Sequence, residues 1–347
     1  MLDLTILPDD LRDTLLDIGV KLADGRRIVR DLSRVADQFG ALDPGDLPQA
    51  EREIVEAASL YPWRRDWSVI EKIFATKMTD ADQLNCIDGL EYLFIFHRDG
   101  RMREAALRKI RCPLPNAFLF AAVAWRLNDW AAPVRQAAVE CAERTFPVTA
   151  AEIVANAGLI LLTRRTTWGR WGSERAVLES TISRRDVALH FAQLFASRTT
   201  GPMASLLRQA LRSDSMDQHL DYLAVSVVQP AVRAAATQSL VNGYTEWPNG
   251  WRWRWIDKSM GKRRRETEFA RRMLTVPTDR DDLIRRGLKD RAAAVRSASI
   301  SGLIQNQAQM ADARQLATSM LTDRSAAVRE RAEFVIKRDL PTQDAAP

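Results

Sequence analysis

Residues 132–146, APVRQAAVECAERTF, set Val134, Ala137, Ala138, Cys141 and Ala142 three and four positions apart, with Arg135, Glu140 and Glu143 mostly elsewhere. This is one apolar face of an α-helix. The preceding string, LPNAFLFAAVAWRLND, is more apolar and predicts a partner helix, with Asp129 and Pro133 marking the turn between the two. An aspartate there can cap the second helix, and proline fits its first turn, where no N–H is needed. Alanines at the contact positions let such helices approach closely.

The pattern recurs. DWAAPVRQAAVECA begins at Asp129, DRAAAVRSASISGL at Asp290 and DRSAAVRERAEFVI at Asp323, and a weaker copy, QPAVRAAATQSL, begins at Gln229. Their valines, Val134, Val232, Val295 and Val328, are separated by 98, 63 and 33 residues, which read as three, two and one units of 32 or 33. A fixed period of this length is the mark of a repeat protein. Extended backwards, the register expects a copy at Met102-Arg103 and another at Val69. Missing internal copies fall near 167, 200 and 264, and the first and last of these coincide with clusters of tryptophan and arginine.

These strings resemble the HEAT family, in its short bacterial-type form with the signature D-x-x-x-x-V-R-x-x-A, over roughly residues 65–338. The resemblance implies an all-α, right-handed α-solenoid of about eight HEAT-like helix pairs. It also implies that the turn aspartate and the arginine after valine form a ladder between adjacent units. Asp129, Arg135, Asp290, Arg296, Asp323 and Arg329 are assigned that structural task, so the Val-Arg arginines are not expected to form a ligand-binding row. Residues 1–62 carry helical pattern without the signature and read as an N-terminal helical cap, which a repeat array needs to close an exposed apolar end. The repeat region is expected over 63–338, with a Trp/Arg-rich loop inserted at 244–262, and 339–347 reads as a disordered tail.

Composition adds to this. The 347 residues are 46% hydrophobic and 28% charged, with 15 glycines and 14 prolines, globular values that lean helical. Cys86, Cys112 and Cys141 are isolated and lack metal-like spacing to His97, His190 and His219, so no metal and no cofactor are expected. No stretch approaches the ~18 apolar residues of a membrane span, and the N-terminus lacks the layout of a signal peptide. The expected location is cytoplasmic.

Net charge is +6, and the window 247–272 accounts for all of it, with nine basic residues against Asp257, Glu266 and Glu268. Here WPNGWRWRWIDKSMGKRRR alternates Trp251, Trp253 and Trp255 with Arg252 and Arg254. A period of two means that an extended chain puts rings on one face and guanidiniums on the other. Pro248, Asn249 and Gly250 predict a turn, and DKSMGKRRRETEFARRML is expected to resume helix, with Lys258, Lys262, Arg263, Arg264 and Arg265 near its start. Cations there oppose the helix dipole, an arrangement suited to a neighbouring anion. A second cluster, LLTRRTTWGRWGSERA, holds Arg164, Arg165, Trp168, Arg170 and Trp171 and reads as an inter-helix loop, either packed on the scaffold edge or used as a contact surface.

No glycine-rich phosphate loop or nucleophile motif occurs. HEAT-like DNA glycosylases rest their chemistry on an aspartate flanked by aromatics, and Asp66 lies between Trp63 and Trp67; it occupies the same repeat position as Asp129, so a capping role stands beside the catalytic one. The expected function is a non-enzymatic scaffold that docks a macromolecular partner, protein or nucleic acid, with the basic Trp/Arg segment on the phosphate backbone. A glycosylase-type enzyme, a purely protein–protein adaptor and contact with an anionic lipid surface are the alternatives. Packing of the tryptophans on the scaffold, with the arginines merely solvated, also stands.

Overall fold

The computed structural model describes residues 5–28, 32–61, 77–164 and 167–338. Among the described residues the protein is mainly helical, with one two-stranded antiparallel sheet. It divides into two compact units, Met1–Val187 and Ala188–Pro347. Among the described residues no helix is long and apolar enough to cross a membrane.

The first unit begins with α1 (Asp9–Asp24), α2 (Ser33–Phe39) and α3 (Leu47–Ala57), continues through α4 (Asp80–Cys86), α5 (Leu90–Phe94) and α6 (Gly100–Lys109), and goes on to α7 (Ala117–Arg126), α8 (Ala132–Thr145), α9 (Ala151–Arg164) and α10 (Arg175–Ile182). The helices α6, α8 and α10 pack in succession, and α9 packs beside α7. Side-chain caps fix their starts: Asn116 Oδ1 accepts from Leu119 N (2.9 Å) at α7, and Asp99 Oδ1 from Arg101 N (2.9 Å) at α6. The face read from the sequence of α8 is the buried one, with Val134, Ala137, Ala138, Cys141 and Ala142 all inside. Phenylalanines fill the space under the N-terminal helices, where Phe39 lies 5.8 Å from Phe96 and 5.9 Å from Phe118.

After α11 (Arg185–Ser197), the second unit is built of α12 (Met203–Ala210), α13 (Leu220–Ser226), α14 (Pro230–Asn242), the strands β1 (Tyr244–Asp257) and β2 (Lys262–Met273), then α15 (Arg280–Leu288), α16 (Ala293–Asn306), α17 (Ala313–Ser319) and α18 (Ala326–Arg338). Here α12, α14, α16 and α18 pack one on the next. The approach of α14 and α16 depends on Gly302, since a Cβ there would collide with the Val241 side chain.

One recurring interaction ties these helices together. Arg103 sends Nε and Nη2 to the two carboxylate oxygens of Asp129 (3.0 and 2.9 Å), and its Nη1 donates to the carbonyl of His97, six residues back (2.8 Å). Arg233 makes the same fork to Asp290 (both 3.0 Å) and to the Val227 carbonyl (2.7 Å), and Arg296 to Asp323 (2.6 and 2.8 Å) and the Asp290 carbonyl (2.9 Å). Each receiving aspartate also braces the turn that leads into its helix by accepting a backbone N–H two residues on, from Ala131, Ala292 and Ser325. The arginine of one repeat thus clamps the turn of the following repeat to its own turn. Arg135 turns instead to Glu174 (3.1 Å) while keeping the Asp129 carbonyl (3.0 Å), and Arg329, in the last helix, holds the Asp323 carbonyl (2.6 Å).

The repeat register needs one correction. No helix pair lies near residue 264, which sits in β2; α14 packs directly on α16, and Arg233 reaches Asp290 across 57 residues, where the other two forks span 26 and 27. Omitting the hairpin 244–273 leaves 33 residues between Val232 and Val295, the same interval as between Val295 and Val328. The 63-residue interval is one repeat plus an insertion. The degraded copies near 167 and 200 correspond to the short helices α10 and α12, and the copy expected at Val69 lies outside the described residues, as do Asp66 with its flanking Trp63 and Trp67, Arg165, and the tail 339–347.

Candidate nucleic-acid interface

The inserted hairpin starts where α14 ends. Gly243, at φ +73°, takes the left-handed conformation that stops the helix, and its carbonyl accepts a hydrogen bond from Leu274 N (3.0 Å), so the two ends of the insertion are tied together. From there β1 and β2 pair in a register running from Tyr244 opposite Met273 to Asp257 opposite Lys262. The segment expected to resume helix after Asp257 is instead a tight turn and a strand. Arg, Lys, Glu and Ala are all good helix formers, which is why 262–273 reads as helix alone. Pairing with the Trp/Arg alternation overrides that preference, and the cations escape the positive end of a helix dipole.

The foot of the hairpin is anchored by residues that composition does not distinguish from those of its tip. Arg272 donates to both Asp217 carboxylate oxygens (2.9 and 2.6 Å) and to the carbonyls of Leu211 (2.9 Å) and Ser213 (2.6 Å). Thr275 adds its N–H and hydroxyl to the same buried carboxylate (2.9 and 3.0 Å). Trp247 is only 9% exposed, with the Arg212 guanidinium 5.7 Å from its ring centre. Arg272, one of the nine basic residues of the 247–272 window, therefore belongs to the fold. Beside this foot, Ser205, Arg208, Gln238, Asn242, Tyr244 and Phe269 help line an open cavity of about 420 Å³.

Beyond Pro248 the ribbon leaves the helices. Trp251, Trp253 and Trp255 are 47, 48 and 49% exposed, so they are not core residues of the scaffold. Their partners are across the strand: Trp253 stands opposite Arg265 and Trp255 opposite Arg263. Side chains interdigitate on this face, with Arg265 3.9 Å from the Trp251 ring centre and Arg263 4.5 Å from Trp253 and 6.0 Å from Trp255. Each guanidinium lies within cation–π distance of an indole. The opposite face carries Arg252, Arg254 and Arg264 around Glu266, which accepts from Arg254 (3.1 Å) and lies 3.7 Å from Arg252. The hydrogen bond from Arg254, reinforced by the other two guanidiniums, holds the Glu266 carboxyl below the usual range.

The sequence placed rings on one face and guanidiniums on the other. For β1 alone this holds, but β2 contributes Arg263 and Arg265 to the tryptophan face, so both faces are cationic. Among the described residues, Lys258, Lys262, Arg263, Arg264 and Arg265 have no carboxylate within 4.0 Å, whereas Arg252 and Arg254 lean on Glu266, Arg271 on Glu246 and Arg272 on Asp217. Four uncompensated cations, Lys258, Lys262, Arg263 and Arg265, are held on one ribbon, while the opposite face sets Arg252, Arg254 and Arg264 against Glu266 and Glu268.

The other cluster has a different fate. Trp168 is buried in edge contacts with Trp125 (5.6 Å) and Trp171 (4.6 Å), and Arg164 donates to the Gly45 carbonyl (2.6 Å). Arg170 has an exposed side chain, and its N–H bonds Asn128 Oδ1 (2.9 Å). Trp168 and Arg164 pack on the first unit and do not offer a contact surface. No three of His, Cys, Asp and Glu converge as a metal would require among the described residues. No protein-family model and no curated protein matches the chain.

Proposed function

We propose that the protein is a HEAT-type helical-repeat scaffold, its units built as short solenoid segments, that docks double-stranded DNA through the inserted hairpin. The scaffold part of this reading is supported by the 33-residue register, the stacked second helices and the arginine-to-aspartate fork repeated at three junctions. The DNA-binding part rests on one observation: cations outnumber carboxylates on both faces of a projecting two-stranded ribbon, and two of them, Arg263 and Arg265, lie over indoles with no carboxylate within 4.0 Å.

Phosphate contact supplies most of the affinity of such an interface. A ribbon in a groove of DNA meets phosphates on both flanks, and the major groove, ~12 Å wide, admits a two-stranded ribbon. A ribbon lying on an anionic bilayer needs one continuous apolar face to bury, and here the indole face is interrupted by Arg263 and Arg265. Arg265 over Trp251 and Arg263 over Trp253 also disfavour base stacking on those ring faces as the main contact, because a base would have to displace a guanidinium. Double-stranded RNA is less suited, since its major groove is deep and narrow.

The test is the salt dependence of binding to a mixed-sequence DNA duplex. Replacing Arg263, Arg264 and Arg265 with alanine should lower the magnitude of the slope of log K against log salt by about 3, close to one for each phosphate left without its guanidinium. An unchanged slope, or no salt-sensitive binding by the wild type, refutes the reading.

A further inference from the structure

The apex of the hairpin carries a feature that phosphate contact leaves unused. Ile256 and Met260 are 65% and 63% exposed, the former beside the last strand pairs and the latter in the turn. Their neighbours Lys258 and Lys262 are cationic and uncompensated. The register slips by one residue between Trp255 and Asp257, so Ile256 is the extra residue of a bulge, a device that re-aims a side chain out of the regular alternation.

The turn beyond it is tightly specified. Asp257 Oδ1 accepts from Ser259 N (2.9 Å), Ser259 Oγ (2.6 Å) and Met260 N (3.2 Å), and Gly261 takes φ +64° to bring the chain back. Two apolar side chains are therefore presented on an ordered tip that also carries Lys258 and Lys262, at the end of eight residues of strand, 250–257. At ~3.3 Å per residue that arm reaches about 25 Å from its last contact with the helices, more than enough for the tip to enter a duplex groove.

We propose that Ile256 and Met260 form an apolar wedge that enters between adjacent base pairs of the bound duplex and kinks it. This rests on the DNA-binding reading of the same hairpin and adds what the tip does once the arm is seated. Apolar wedges of this kind partly unstack a base step and bend the duplex, and the flanking lysines lie where the phosphates on either side of the opened step would be. Opening is least costly at flexible pyrimidine–purine steps, so the wedge favours them.

The experiment uses the full chain and two probes: a mixed-sequence DNA duplex labelled at both ends for energy transfer with 2-aminopurine at a central TA step, and the same duplex carrying a two-nucleotide bulge. Wild-type protein should raise 2-aminopurine fluorescence, shorten the end-to-end distance and prefer the bulged duplex by about tenfold, because its step is already unstacked. The Ile256→Ala, Met260→Ala double variant should keep the salt slope and lose all three effects. Both side chains are largely exposed, so unchanged circular dichroism checks that the variant is folded. Wild-type binding without unstacking, or unstacking that survives in the double variant, overturns the wedge and leaves the DNA-binding arm standing. No binding to duplex, or binding only to phosphatidylglycerol vesicles, overturns both.

Discussion

Arg296 offers the sharpest test of how the helices are held together. Replacing it with alanine severs two charge-assisted bonds to Asp323 and the donations of Nη1 to the carbonyls of Asp290 (2.9 Å) and Arg291 (3.1 Å). The side chains of Arg296 and Asp323 are 14% and 6% exposed, so the carboxylate left behind is poorly hydrated. Breaking a buried pair from one side costs about 3–5 kcal/mol, and the Ser325 N–H that Asp323 keeps places this case near 3 kcal/mol. In a unit of this size that is about 6–12 °C in melting temperature. Double-mutant cycles then locate the partner. Arg296 with Asp323 should couple strongly. Arg296 with Asp290 should couple by less than about 0.5 kcal/mol, because Arg296 holds the backbone carbonyl of Asp290, which side-chain substitution leaves in place. The pH dependence follows from the same contact: the Arg296 hydrogen bond lowers the Asp323 pKa in the folded state. A depressed carboxyl contributes its stability above the unfolded value of ~3.9 and loses it as pH falls through the folded value, so the gap between wild type and Arg296→Ala should close below about pH 4. A melting temperature unchanged in Arg296→Ala, or a coupling larger with Asp290 than with Asp323, refutes the inter-repeat fork.

Two further outcomes concern the hairpin. Asp217→Asn removes the carboxylate that receives Arg272 and Thr275, and should destabilise the second unit by about 3 kcal/mol in urea unfolding; a loss below about 1 kcal/mol means the foot is held by Trp247 and the Arg272 contacts to the Leu211 and Ser213 carbonyls. Replacing residues 249–268 with an Asn-Gly turn keeps the pair Pro248–Phe269 and the whole foot, so stability should change by less than about 1 kcal/mol while salt-sensitive DNA binding disappears. Persistent binding would move the interface onto the helices.

How much of this the sequence carried depended on whether a residue's environment is local. The apolar face of α8 was legible because helical spacing alone decides which side is buried. The period of two in Trp251–Trp255 was legible for the same reason, since an extended chain is the one way to segregate those side chains. Strand β2 was not, because its residues favour helix in isolation and only their cross-strand partners make them a strand. The repeat count misled because the insertion, at 30 residues, is close in length to one 33-residue repeat, so a repeat plus a hairpin looked like two repeats. Trp247 and Arg272 could not be told from Trp251 and Arg265 by composition. What separates them is far away in sequence and beside them in space: Asp217 for Arg272 and Arg212 for Trp247.

The position of the insertion bears on why the hairpin can serve as a working part. Arg233 and Asp290 lie on either side of it, yet their fork uses the same atoms, at similar distances, as the forks at Asp129 and Asp323, and α14 packs on α16 as α16 packs on α18. The Gly243–Leu274 hydrogen bond closes the excursion at its base, so the connection between α14 and α15 is as short in space as it would be without the hairpin. The ring and charge contacts of the segment between Pro248 and Phe269 lie within the hairpin and not on the helices. Charge that would weaken a packed helix can accumulate there, which is why seven of the cations and five of the exposed large apolar side chains, Trp251, Trp253, Trp255, Ile256 and Met260, are found between residues 249 and 268. On the proposed reading the scaffold supplies a rigid foot through Asp217 and Arg272, and the ribbon is free to be shaped by what it touches. A stabilising role for the tip would instead require its side chains to reach the helices, and between Trp251 and Arg265 their ring and charge contacts stay within the hairpin itself.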